Sequence, residues 1–131
     1  MEPEEYIRRY RDKRGYVRAF PMIMAYADVE FQGLIGQLAD HAYARQRRLS
    51  AREKEITLIA VLAASGAEPE HLDVHLRKAL GMGIDARDIL EALELIVIPA
   101  GTDRFERAVR RLNEFAAFCP PEVLARAKDA E

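Results

Sequence analysis

Three residues in the middle of the chain have the types and spacing to do chemistry: Glu55, His71 and His75. The two histidines are four apart within a helical pattern, so both imidazoles project from one face. Glu55 lies on the preceding predicted helix, separated from them by the connection Ser65-Gly66-Ala67-Glu68. A carboxylate and two imidazoles brought together by antiparallel helices suit proton transfer, because an imidazole titrates near neutrality and can both remove and return a proton. The same set suits a divalent metal with one open position. However, His71-Leu72-Asp73-Val74-His75 lacks the glutamate of a His-Glu-x-x-His metalloprotease motif. A satisfied polar patch is the third reading, since a neutral imidazole needs only two hydrogen-bond partners.

The elements that must position these residues are helices. Ser50-Ala51-Arg52-Glu53 is a capping-box sequence and starts one helix. Its continuation, Ile56 to Ala64, is apolar almost all round and is expected at the centre of the core. Pro69 suits the first turn of the next helix, in which Leu72, Leu76, Ala79 and Leu80 form the buried stripe and His71, His75 and Lys78 flank it. On that reading, His75 can be removed without loss of the fold. Gly83 and Ile84 mark a helix end, and Asp85 caps a helix over Ala86 to Ile98 that Pro99 and Gly101 close. Thr102 or Asp103 caps the last long helix, with Phe105, Ala108, Val109, Leu112 and Phe115 on one face. Cys119-Pro120-Pro121 then breaks it, before a short tail helix.

Upstream, Asp28 caps a helix whose stripe is Phe31, Leu34, Ile35, Leu38 and Ala42. No stretch alternates with period two, so the fold class is all-α, with about six helices. The 131 residues suit a single domain, with an arm over about 1–27 and a core over about 28–118.

Composition narrows the function further. Half of the residues are hydrophobic, about a third are charged and the net charge is -2. This argues against nucleic-acid binding as the main task. Arg8, Arg9, Arg11, Lys13, Arg14 and Arg18 interleave with Tyr6, Tyr10 and Tyr16, but Glu2, Glu4, Glu5 and Asp12 offset them, so a solvated or subunit-bridging arm is expected. There is no apolar run of membrane-spanning length and the N-terminus is acidic, so neither a membrane partner nor a signal peptide is expected and the reading is cytoplasmic. The single cysteine, Cys119, excludes an intrachain disulfide and any Cys-x-x-Cys redox pair. With no histidine near it in sequence, it reads as an incidental thiol. His41, beside Ala42, reads as a surface or interface residue.

The order of these motifs resembles the carboxymuconolactone decarboxylase family, which includes the alkylhydroperoxidase D-type proteins. The residues that carry the likeness are Arg52-Glu53-Lys54-Glu55-Ile56, then His75-Leu76-Arg77-Lys78-Ala79-Leu80, Gly83-Ile84-Asp85, Asp88-Ile89-Leu90-Glu91-Ala92, and the turn at Gly101. Arg14-Gly15-Tyr16-Val17 and Tyr43-Ala44-Arg45-Gln46-Arg47-Arg48-Leu49 are similar to a branch that has a histidine pair spaced like His71 and His75. The peroxidase branch carries Cys-x-x-Cys just before the histidine; here that stretch is Ala67-Glu68-Pro69-Glu70-His71, so dithiol peroxidase chemistry does not carry over. The decarboxylase branch has tyrosine and proline around the glycine turn, where this chain has Pro99-Ala100-Gly101-Thr102-Asp103.

The resemblance implies an alkylhydroperoxidase D-like helical fold and a homo-oligomer, a trimer or a hexamer built as a trimer of dimers. Leu93, Leu95, Ile96, Val97 and Ile98 add physical support, being too many apolar faces for one short helix at a monomer surface. It also implies His75 as general acid/base, with Glu55 orienting it and stabilising the imidazolium. His71 is then a proton shuttle, a contact for an anionic substrate, or a rim residue. Arg45, Arg52 and Lys78 are the candidate cations for a substrate carboxylate. The expected substrate is a small carboxylated or lactone-type molecule undergoing decarboxylation, isomerisation or hydration, with no cofactor and no metal. A non-catalytic helical oligomer that binds a small ligand or a partner protein is the competing expectation.

Overall fold

The computed structural model describes residues 1–130, and among them every regular element is helical. Helices α1 (Pro3–Arg14), α2 (Ala19–Ala27) and α3 (Val29–Ala39) are followed by a π-helical turn, Asp40–Ala44. Then come α4 (Ala51–Ser65), α5 (Pro69–Gly81), α6 (Ala86–Leu95), α7 (Val97–Ala100), α8 (Thr102–Ala116) and α9 (Pro121–Leu124), with a 3-10 turn over Ala125–Ala130. The chain divides into two compact units, Met1–Arg48 and Leu49–Glu131. No helix among the described residues is long and apolar enough to cross a membrane.

The stretch expected as an N-terminal arm is helical, beginning with α1 and α2. The signals for α1 lie in plain view. Pro3 stands at the first turn with Glu4 and Glu5, while Arg11, Lys13 and Arg14 occupy the last turn, charges that complement the helix dipole at both ends. Much of the basic patch is engaged in ion pairs. Arg9 meets Glu5 at 2.6 Å, and Asp40 of the π-helical turn takes Lys13 at 2.6 Å and Arg14 at 2.8 Å. Arg14 also lies over the Tyr10 ring, and burial pushes the Tyr10 phenol above its ordinary pKa.

Asp28 caps α3 as the sequence indicates, accepting the Phe31 N–H at 3.1 Å. The α3 stripe, however, is not buried. Phe31, Leu34 and Leu38 are exposed, and the side chain α3 does bury is Gln32, whose Oε1 has no hydrogen-bond partner among the described residues.

In the C-terminal unit, α4 packs against α5, α6 and α8, and α8 against α5 and α6. The centre is Ile59, Leu76, Ile89, Leu93 and Leu112, each fully out of water and each contributing about 1.5–3 kcal/mol by that transfer. The capping box forms in both directions. Ser50 Oγ accepts the Glu53 N–H at 3.0 Å, and Glu53 Oε1 accepts the Ser50 N–H at 2.9 Å. The bonds from Ser50, chiefly its backbone N–H, hold the Glu53 carboxyl below its ordinary range. Pro69 opens α5, Asp85 caps α6 through the Arg87 N–H at 2.8 Å, and Ile84 is buried beside the end of α5 with its N–H on the Ala79 carbonyl.

Several boundaries differ from the sequence reading. The helix expected over Ala86 to Ile98 breaks at Ile96 into α6 and α7, which leaves Leu95 and Ile98 facing outward. Gly101, not Thr102 or Asp103, occupies the N-cap of α8, at φ 84° and ψ 177°, a conformation essentially restricted to glycine. At its other end α8 stops before Cys119-Pro120-Pro121. Ala117 turns into the left-handed region, and the Asn113 amide brackets the Cys119 backbone, accepting its N–H at 2.9 Å and donating to its carbonyl at 3.1 Å. Finally, α4 is not buried all round: Val61 is 56% exposed, so an apolar surface remains on its outer side.

Candidate functional site

The cap at Ser50 and the proline start at Pro69 fix where α4 and α5 begin, and the short link over residues 66–68 folds one back along the other. Gly66, at φ +72°, makes that reversal; its N–H and that of Ala67 bond to the Ala63 and Leu62 carbonyls and close the end of α4. In the resulting hairpin, Glu55, in the second turn of α4, comes opposite His75, in the middle of α5.

His75 Nδ1 and Glu55 Oε1 share a hydrogen bond at 2.6 Å. With Glu55 as the carboxylate, which can only accept, the ring proton sits on Nδ1, and Nε2 is the nitrogen turned away from Glu55. The two residues are 3% and 1% exposed. This corrects the reading of His75 as flanking the buried stripe: it belongs to the stripe, with Leu72, Leu76 and Ala79 at the i-3, i+1 and i+4 positions. The interior accepts it because the partner on α4 satisfies its polar atom, as buried polar groups require.

His71, half-buried one turn earlier on α5, has its ring centroid 5.4 Å from that of His75, with the planes tilted by 49°. The structure therefore brings all three chemistry-bearing residues of the central region into one cluster. Among the described residues, no three His, Cys, Asp or Glu side chains gather into a group that could hold a metal ion.

The three candidate substrate-binding cations fare differently. Arg52 lies three residues before Glu55 on α4, half-exposed, and its guanidinium bonds to the Asp88 carboxylate of α6 at 2.8 Å. Lys78 is exposed on α5, three residues after His75. Arg45 belongs to the N-terminal unit, where Nη1 lies 3.4 Å from His41 Nδ1.

Sequence reasoning overlooked two polar features. Asp73 and Arg111 form a two-pronged ion pair between α5 and α8, at 2.8 and 2.7 Å, which holds the Arg111 guanidinium above its ordinary pKa. Arg104, Arg107 and Arg110, spaced by three on α8, crowd a second surface of the same unit. The signal was the Arg-x-x-Arg-x-x-Arg-Arg run over 104–111, hidden behind the amphipathic reading of that helix.

The buried bond has an energetic consequence. His75→Ala removes this donor from a buried carboxylate and is expected to destabilise the protein by about 3–5 kcal/mol in urea unfolding. Glu55→Gln should cost less, because the amide oxygen still accepts the Nδ1 proton. A His75→Ala variant within about 0.5 kcal/mol of the native protein, the range of ordinary surface changes, would contradict a structural role for the bond.

A search of curated proteins gives no match. Residues 30–114 match the Carboxymuconolactone decarboxylase family. That span is well over half of the chain and includes Glu55, His71 and His75, so the chain belongs to the carboxymuconolactone decarboxylase family.

Proposed function

We propose that the protein is an enzyme of decarboxylase type, with His75 as the general acid/base acting on a small carboxylated lactone. The observation that carries this reading is the 2.6 Å bond between His75 and Glu55 in an almost dry setting. Anchored through Nδ1, the imidazole has a fixed tautomer and orientation, and Glu55 stabilises the imidazolium when Nε2 carries a proton. In the proposed reaction the bond from the substrate carbon to its carboxylate breaks and carbon dioxide leaves. The electron pair moves into the conjugated lactone carbonyl, then returns to carbon as that carbon takes the Nε2 proton. His71, the more exposed imidazole, restores the proton from solvent. Arg52 and Lys78 are the proposed cations for the substrate's remaining carboxylate. Isomerisation or hydration of a related lactone would use the same proton transfer.

One observation favours a second reading. At 3% and 1% exposure, His75 and Glu55 also suit a purely structural fastening of α4 to α5, in a helical oligomer that binds a ligand or partner without catalysis. Kinetics on a panel of carboxylated γ-lactones separates the two. Under the enzymatic reading His75→Gln, checked to be folded, lowers kcat about a hundredfold to ten-thousandfold, and Glu55→Gln lowers it less. Turnover unchanged in folded His75→Gln, or no turnover of any such lactone by the native protein, would overturn it.

We also propose a homo-oligomer, a trimer or a hexamer assembled as a trimer of dimers. Of the five apolar residues that suggested it, Leu93 and Ile96 are core. Leu95 and Ile98 remain outside at 65% and 86% exposure, and Val61 of α4 is also uncovered. Phe31, Leu34 and Leu38 of the N-terminal unit add further apolar surface of the kind a monomer rarely leaves in water. Light scattering at micromolar concentration is expected to report at least a trimer, and a monomer there would contradict the proposal.

A further inference from the structure

The turn from α4 into α5 and one face of α8 border an open cleft of about 210 Å³, none of whose walls belongs to the Glu55–His75 pair. Its floor is apolar, formed by Ala63, Ala67, Pro69, Leu72 and Ala108. Its rim is cationic: Arg104, Arg107, Arg110 and Arg111, all from α8.

These four guanidinium groups are not equivalent. Arg111 is neutralised by its two-pronged pair with Asp73 and acts as a fixed wall. Arg104 donates through Nη1 to the Ala64 carbonyl, one of the acceptors that the end of α4 leaves without a helical partner. That bond holds its guanidinium over Gly66, where an added Cβ would lie 3.4 Å from Cζ, yet it leaves the positive charge uncompensated. Arg107 and Arg110 are exposed and have neither an ion pair nor a hydrogen bond among the described residues. The nearby Asp103, Glu106 and Glu114 of α8 form no ion pair with them. Three uncompensated arginines thus line one small apolar cleft, spread over about 9 Å at the helical rise of 1.5 Å per residue.

We propose that this cleft is a second ligand site, taking a small organic dianion with a compact apolar body. Three arginines without an ion pair among the described residues argue for more than one negative charge, and the guanidinium fork suits carboxylate and phosphate oxygens alike. The volume, room for about seven waters at 30 Å³ each, limits the body to roughly one ring. The apolar floor argues against a bare inorganic ion. Such a site would let the protein sense an anionic metabolite at a place separate from its proton-transfer pair.

Calorimetric titration at low ionic strength, where exposed charges are least screened, tests this. The probes are phenyl phosphate, which carries both charges on one head, and phthalate, which carries them on two. Benzoate and inorganic phosphate control for charge and for the apolar body. At least one dianion should bind tenfold or more tightly than both controls. Arg107→Ala with Arg110→Ala should weaken it tenfold or more, whereas Arg87→Ala, which removes a cation outside the cleft, should not. Folded His75→Gln should bind as the native protein does, so this result stands whether or not the proton-transfer reading holds. Benzoate or inorganic phosphate binding as well as the dianions, no binding of either dianion, binding indifferent to the double substitution, or binding lost with His75→Gln would each overturn the proposal.

Discussion

A buried carboxylate and a buried imidazole each need a hydrogen-bond partner, and in the hairpin of α4 and α5 Glu55 and His75 supply one to each other. Glu55 and His75 occupy positions where their helices otherwise present Ile59, Leu62, Leu72 and Leu76 to the core. The bond between them therefore sets the register of one helix against the other as strictly as any apolar contact: a slip of one residue on α5 would bury Glu55 without its donor. The surrounding structure serves the same end. The Ser50 box fixes the start of α4, Gly66 fixes the reversal, and the Asp73–Arg111 pair ties α5 to α8 on its other side.

In the proposed reaction the same bond gives the site its chemical character. Anchoring one ring nitrogen settles which atom can exchange a proton, and burial removes the water that would otherwise compete for it. His71 then has a natural place in the account, one helical turn away and closer to solvent. Burial also accounts for the tension between the two readings of the site. The features that would orient an acid/base group are also those that fasten a core.

Much of this was legible in the sequence. The helical class followed from periodicity, and the starts of α3, α4, α5 and α6 from Asp28, Ser50, Pro69 and Asp85, because capping chemistry is local. That Glu55 and His75 meet followed from the helical pattern and the short connection between their helices. What escaped were features set by distant partners. His75 looked like a flanking residue because its type is polar, and only Glu55 on another helix makes its burial tolerable. The α3 stripe looked like a core face, yet Phe31, Leu34 and Leu38 remain exposed within a single chain. Of the two N-terminal helices, α1 carried a helical signal in the order of its charges, acidic first and basic last, whereas α2 has no acidic residue in its first turn and no basic residue in its last.

The central claim is that His75 moves a proton to and from substrate carbon, not merely between helices. Proton exchange at carbon tests this without depending on carbon dioxide loss. A decarboxylated unsaturated γ-lactone, incubated with the native protein in deuterated buffer and followed by NMR, presents the same carbon that the proposed reaction protonates. The account predicts deuterium wash-in at that carbon well above the buffer rate, lost in folded His75→Gln. Exchange no faster than in buffer, or equally fast in that variant, would contradict it.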